Sequence, residues 1–300
     1  MQETSSSSGL MIDYYIKGKL STLEADEKFV DFIMIEKLAN FNQRLREEGR
    51  EEEQISYVGF DLNHMRTEYQ TALAHMISLY QLPSHTFTSY NSDALKIKEA
   101  LEKGQIKGID AEQLEEIKYI TEAQIESAEI LANWDDFDRE DFIEKYVFKA
   151  IDESKEGEKL LVNAGAWHAQ LILHWNVTKD DSFQWLGMRL KERYKDDPNG
   201  LYSFFCNTYK GEIRSNLYRP DSFNYEADDK LRAGSLISYL MKAYGNKTVF
   251  VDFKTVPDNS LSIDIQIPHH IIDLPVNRQF NGMLVYPEIH VPKTLKYYED

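Results

Sequence analysis

The sequence of 300 residues has almost none of the thiols from which disulfide frameworks are built, because it contains a single cysteine, Cys206. One thiol cannot form a disulfide within the chain, and it cannot supply a cysteine-based metal site. Cys206 lies in an apolar run, so we expect a small buried core residue. Nowhere does the sequence reach the ~18 consecutive apolar residues that a membrane-spanning helix requires.

Positive charge is also scarce, with 34 Lys and Arg residues against 51 Asp and Glu residues and a net charge of -17 at pH 7. An acidic surface repels phosphate backbones and anionic lipids, and the basic residues are scattered rather than gathered in a patch. We therefore expect no nucleic acid partner and no attachment to a membrane. The hydrophobic share of 42% is sufficient for a globular core.

The first residues are rich in serine and carry neither the basic nor the apolar region of a signal peptide. We expect residues 1–11 to be a flexible leader and residues 12–300 to form a single domain, because no change of composition marks a linker. The expected compartment is the cytoplasm, unless an upstream segment carries a secretion signal.

Apolar strand-like runs alternate with amphipathic helical patterns, which predicts an α/β fold with a mostly parallel central sheet flanked by helices. The predicted strands lie at 55–62, 159–165, 201–209, 248–253 and 282–286. The predicted helices lie at 24–48, 65–80, 92–103, 110–133, 139–154, 182–194 and 235–244. Asp110 and Asp138 are the expected N-caps of two of these helices, and 213–229 is expected to be a polar loop.

The most informative segment runs from Lys159 to His168, where apolar residues lead to Gly165 and a histidine follows three positions later. Ligands collect where parallel strands end, and a histidine there can exchange a proton near neutral pH. His168 is therefore a candidate catalytic base, and Gly165 and Trp167 are candidates for substrate binding. The alternative is a buried His168 that packs beside Trp167 and hydrogen-bonds to the backbone.

Three other residues are candidates for the same site. Asp61 follows Gly59 at the end of the first predicted strand, where it can orient a histidine or bind substrate hydroxyls; otherwise it caps the next helix. His64 is a second candidate base or substrate contact. Arg139 begins the helix before the His168 segment and can bind a carboxylate or stabilise an oxyanion; otherwise it forms an exposed salt bridge.

Several chemistries have no support in the sequence. It contains no His-Glu-x-x-His motif, no Gly-x-Ser-x-Gly motif and no phosphate-binding loop. We therefore expect no metal and no cofactor.

The order of these segments resembles that of the erythromycin esterase family, within a wider group of Tiki and haem-uptake-like proteins that share a Gly-x-x-His motif. The resemblance spans roughly residues 12–294 and rests on six stretches: Tyr57–Asn63, Arg139–Ile143, Leu160–His168, Trp185–Tyr194, Ala233–Leu236 and Phe280–Tyr286. Gly165 occupies the place of the family's first histidine in the key motif, so only His168 matches. The family's earlier Gly-Glu-x-x-His motif would lie upstream of Met1, so we expect the N-terminal portion of the domain to be missing.

The resemblance implies a metal-independent hydrolase of a small carboxylic ester or lactone, of the kind that cleaves macrolides in bacterial antibiotic resistance. A histidine would activate water, with His168, Arg139 and Asp61 as the implied catalytic residues. Two alternatives remain open. One is a catalytically inactive binding protein on the same scaffold, and the other is a metal-dependent Tiki-like hydrolase that uses the Gly165-x-x-His168 motif.

Overall fold

The computed structural model describes residues 2–23, 32–165, 168–172, 182–197, 199–216, 219–226, 236–245, 247–255, 265–267, 270–272 and 279–289. The chain divides into two compact units, residues 1–163 and residues 164–300. Helices and small sheets together confirm the α/β class. No helix in the described ranges combines the length and the apolar character that crossing a bilayer demands.

The first unit is mainly helical and contains one pair of short strands. Its elements are β1 Gln2–Ser5, α1 Ser6–Ile16, α2 Phe32–Glu47, β2 Gly59–Asp61, α3 Arg66–Leu79, α4 Ala94–Glu102, α5 Ala111–Ala132 and α6 Asp136–Asp152. Helix α5 confirms the long helix predicted at 110–133, and Asp110 caps it by accepting the Gln113 N–H at 2.9 Å. The N-cap of α6 is Asp135 rather than Asp138, because the Asp135 carboxylate accepts the Phe137 N–H at 2.8 Å.

Residues 2–16 form a strand and a helix, whereas the composition predicts a flexible leader at residues 1–11. Strand β1 pairs in parallel with β2, and the apolar face of α1 is buried. Gly9 and Gly59 permit this packing, since a Cβ on Gly9 would lie 2.2 Å from the Gly59 nitrogen. The small residues that indicate a flexible segment in the sequence are therefore those that allow α1 to lie directly against β2.

The core of the first unit lies between α1, α3, α4 and α5. It is formed by fully or nearly fully buried apolar and aromatic side chains, which include Tyr14, Tyr69, Leu73, Ile97 and Ile117. Burial of one such side chain stabilises the fold by about 1.5–3 kcal/mol. This core packs α1, α3, α4 and α5 against one another.

The second unit contains a small mixed sheet. Its elements are α7 Leu186–Arg193, β3 Phe204–Asn216, β4 Arg219–Glu226, α8 Leu236–Tyr244, β5 Val249–Asp252, β6 Ile265–Ile267, β7 His270–Ile272 and β8 Gly282–Ile289. The strand order is β4-β3-β8-β5, with β3 and β8 parallel and the outer pairs antiparallel.

The expected polar loop at 213–229 is wrong, because β3 and β4 pair across most of that range. Cys206 on β3 is exposed rather than buried.

The strand predicted at 159–165 is absent from the structure. Residues 158–165 form no regular element apart from a single bridge at Asn163, and Leu160 and Leu161 are exposed. The division between the two units also follows Asn163. An apolar run becomes a strand only where a neighbouring strand offers hydrogen bonds, and the sequence pattern carries no information on such a partner.

Candidate functional site

The candidate site lies in the first unit, where β1 and β2 end side by side. The two strands are parallel, and Ser5 and Asp61 are register partners at their carboxyl ends. Helix α1 begins directly after β1, so the serines of residues 5–8 lie at the same edge as Asp61. This is the edge at which ligands bind in α/β sheets.

Asp61 forms a buried, two-pronged ion pair with Arg139 of α6. Arg139 Nε donates to Asp61 Oδ1 at 3.1 Å, and Nη2 donates to Oδ2 at 2.7 Å. The Asp61 side chain is 7% exposed and that of Arg139 is 18% exposed. Such paired, charge-assisted hydrogen bonds fix the carboxylate in both position and orientation.

The pKa of Asp61 lies well below its usual range. Burial alone would raise it, but the hydrogen bonds from His64 and Arg139 and the positive charge of Arg139 outweigh burial. The Leu62 N–H also donates to Asp61 Oδ1, at 2.8 Å. Asp61 is therefore a negative charge throughout the physiological pH range.

His64 shares this carboxylate and is open to solvent. Its Nε2 lies 3.5 Å from Asp61 Oδ2, and its side chain is 34% exposed. The hydrogen bond to Asp61 raises the pKa of His64 above its ordinary value, with a further contribution from Glu68, while partial burial and Arg139 oppose the rise. A half-exposed imidazole held by a fixed carboxylate can accept and release protons.

The loop between Asp61 and His64 is attached to two helices. Ser7 N at the start of α1 donates to Asn63 Oδ1 at 3.2 Å, and Asn63 N donates to Ser127 Oγ of α5 at 2.9 Å. Ser6 Oγ donates to the Asp61 carbonyl at 3.5 Å. Sequence reasoning misses these serines and Asn63, although a run of small hydroxyl residues before a helix is a signal for tight packing and capping.

No protein-family description and no curated protein matches the sequence. Solved structures do match in three dimensions. A succinoglycan biosynthesis protein matches with a TM-score of 0.60 and 15% identity, over 96% of this chain and 79% of that one. A mutant of the erythromycin esterase EreC in its open conformation matches with a TM-score of 0.54 and 13% identity, over 96% of this chain and 82% of that one.

The chain shares its fold with an erythromycin esterase. A Bacillus cereus protein has the same fold, with a TM-score of 0.58 and 12% identity over 96% of this chain and 80% of that one. Structural matches at such low sequence identity establish the fold alone. The chemistry has to be argued from the residues themselves.

His168 lies in the second unit and is buried. It is 6% exposed, and its ring meets the edge of Trp185 with centroids 5.2 Å apart at 86°. The His168 carbonyl accepts the Gly187 N–H at 2.6 Å, an approach that a side chain at Gly187 would block. The convergence of His168 with Arg139 remains a prediction.

The predicted substrate-binding roles of Gly165 and Trp167 remain predictions. Gly165 is exposed in an irregular segment, and Trp167 lies outside the described residues. Within the described ranges, His, Cys, Asp and Glu side chains nowhere gather in a group of three or more that could hold a metal ion. The structure thus brings together Asp61, His64 and Arg139 from the sequence candidates.

Proposed function

We propose that this protein is a hydrolase of small carboxylic esters or lactones in which His64 activates water without a metal. The observation that carries the proposal is a half-exposed His64 held by a buried, fully charged Asp61, which is itself fixed by Arg139. An imidazole with a carboxylate on one nitrogen and solvent access is a competent general base. The shared fold with an erythromycin esterase agrees with this chemistry.

In the proposed mechanism, His64 is the group that moves the proton. Because Nε2 faces Asp61, we place the hydrogen of the neutral ring on Nε2 and the basic lone pair on Nδ1. Nδ1 takes a proton from water as the water oxygen bonds to the ester carbonyl carbon. The tetrahedral intermediate then breaks its bond to the alkoxy oxygen, which receives the proton from Nδ1. An ester gives an acid and an alcohol, and a lactone gives one hydroxy acid.

Arg139 and His168 have proposed roles of different kinds. Arg139 keeps Asp61 ionised and in place, and its charge favours the anionic intermediate. His168 is a second candidate for the base, proposed from its resemblance to the family motif. The donor set around Asp61 is poor for a metal, since both carboxylate oxygens already accept hydrogen bonds from Arg139.

A binding protein on the same scaffold is the second candidate function. The observation that favours it is the engagement of both Nε and Nη2 of Arg139 by Asp61, which indicates a structural role for the guanidinium. Such a protein would bind an ester or a related small molecule without turning it over.

The two functions are separated by turnover of p-nitrophenyl acetate and butyrate, simple γ- and δ-lactones, and a macrolide lactone. We expect hydrolysis by the natural protein that is unchanged by a chelator, and a loss of about 10²-fold or more in kcat/KM for His64→Gln. His75→Gln is the matched control, because His75 lies on α3 of the same unit and should leave the rate unchanged. Binding without turnover, or full activity in His64→Gln, would reject the hydrolase. Metal-dependent turnover would favour the Tiki-like alternative.

A further inference from the structure

Asn63 connects the loop that carries His64 to two helices of the first unit. It lies between Asp61 and His64 in sequence and is 1% exposed. Its side-chain oxygen accepts a hydrogen bond from Ser7 N at 3.2 Å, and its own N–H donates to Ser127 Oγ at 2.9 Å. One residue therefore joins the loop to α1 through its side chain and to α5 through its main chain.

The contact that Asn63 would protect is marginal. Asp61 is fixed by β2 and by Arg139, whereas His64 is three residues farther along and partly exposed. The distance from His64 Nε2 to Asp61 Oδ2 is 3.5 Å, the outer limit of a hydrogen bond. A small displacement of the loop would break this contact, so the position of the main chain at Asn63 decides whether it forms.

Burying an asparagine side chain at position 63 is energetically unfavourable, and close packing alone does not require an asparagine there. Asn63 Nδ2 is buried with no hydrogen-bond partner among the described residues, and so is Ser7 Oγ. A buried amide N–H without a partner is unfavourable. An apolar residue would avoid that cost, but it would leave the buried Ser7 N–H without its acceptor and remove the attachment of residue 63 to α1.

We infer that Asn63, together with Ser127, is a positioning residue that holds His64 against Asp61. The inference rests on the proposed function of His64 as the base. It adds a requirement that the fold itself must meet: the loop between the two catalytic groups has to be fixed to both α1 and α5.

The test is the imidazole titration of His64, followed by NMR and assigned with His64→Gln. Asn63→Ala and Ser127→Ala each remove one attachment. Asn42→Ala is the control for the first, because Asn42 is also fully buried but bonds its amide to Ile55 before β2, with both distances 2.8 Å. Thr121→Val is the control for the second, because it removes a buried hydroxyl of the same helix α5 that bonds to Tyr69 at 3.1 Å.

We expect the His64 midpoint to fall toward the ordinary histidine value in Asn63→Ala and Ser127→Ala, because the contact with Asp61 raises it. It should stay at its natural value in both controls, even where they lower the melting temperature equally. Ser127→Thr, which keeps the hydroxyl, should restore the midpoint. In an ester assay, kcat should fall about tenfold with little change in KM.

An unchanged His64 midpoint in folded Ser127→Ala or Asn63→Ala would overturn the inference. Ser127→Ala is the gentler change and decides the matter if Asn63→Ala does not fold. The titration needs no turnover, so the two proposals fail separately. A shifted His64 midpoint in a protein without esterase activity would support the positioning role of Asn63 and reject the hydrolase. Esterase activity with an unchanged midpoint in the variants would support the hydrolase and reject the positioning role.

Discussion

The surroundings of His64 and of His168 differ in the two properties that decide whether a histidine can act as a base. His64 is 34% exposed on its side chain and has a charged carboxylate beside it. His168 is 6% exposed and packs edge-on against Trp185, which in turn meets Phe183 with ring centroids 4.7 Å apart. The first environment provides solvent access and a charged hydrogen-bond partner, and the second provides close packing.

The comparison shows that sequence position and local environment select different histidines. His168 is prominent in the sequence because it follows an apolar run and a glycine, whereas His64 is prominent in the structure because Asp61 lies beside it. Catalysis requires a reachable atom whose proton affinity is controlled by its neighbours.

Asp61→Asn should have the largest effect, since it removes the charge shared by His64 and Arg139. We expect loss of esterase activity and a fall of about 3–5 kcal/mol in the free energy of unfolding, because the partly buried Arg139 loses its partner. Because the pKa of Asp61 is lowered in the folded protein, this stabilisation depends on pH. It is present above about pH 4 and is lost as the pH falls further. Urea unfolding of both proteins between pH 2 and 7 measures it. A constant difference over that range would contradict the assignment.

The pH dependence of kcat/KM should follow the titration of His64. The base must be neutral, and Asp61 raises the pKa of His64, so activity should rise with pH through a midpoint above the ordinary histidine value of about 6.5. The stability that His64 gains from Asp61 runs in the opposite direction: it is complete below about pH 6.5 and is lost as pH rises through the native pKa. A rate profile with its midpoint below about 6.5 would point to another base.

His168→Gln should have a smaller effect on catalysis than His64→Gln. We expect kcat/KM to change less than about threefold, while the melting temperature falls because the edge contact with Trp185 is lost. The measurement is kcat/KM with thermal unfolding on the same samples. A rate loss comparable with that of His64→Gln, with stability unchanged, would reverse the comparison and make His168 the base.

Glu53→Gln should have the smallest effect, although it removes a similar ion pair. Arg50 Nη2 lies 2.6 Å from Glu53 Oε2, yet both side chains are about half exposed. Exposed ion pairs contribute little to stability because water and salt screen them. We expect unchanged urea unfolding and unchanged activity. A clear loss of stability would show that burial is not what distinguishes the Asp61–Arg139 pair.

The helices and the candidate residues of the first unit could be predicted because their signals are local. Helical spacing and the Asp110 cap locate α5 within two residues of its ends, and Asp61 and His64 lie within one short segment. The predictions at 1–11, 159–165 and 213–229 differ from the structure because composition does not reveal a distant partner. The composition of the serine-rich start predicts flexibility, but these serines pack against β2. The apolar run with Leu160 and Leu161 predicts a buried strand, but both side chains are exposed and neither residue lies in a strand.

By itself, the sequence determined the α/β class, most of the helix boundaries and the set of residues able to carry acid–base chemistry. These depend on patterns within a few turns of chain. Only the tertiary structure decided that Arg139 binds Asp61 across 78 residues and that Ser7 and Ser127 fix the loop leading to His64. Such contacts form between groups far apart in the chain, and their geometry is set by how α1, α5 and α6 pack around β2.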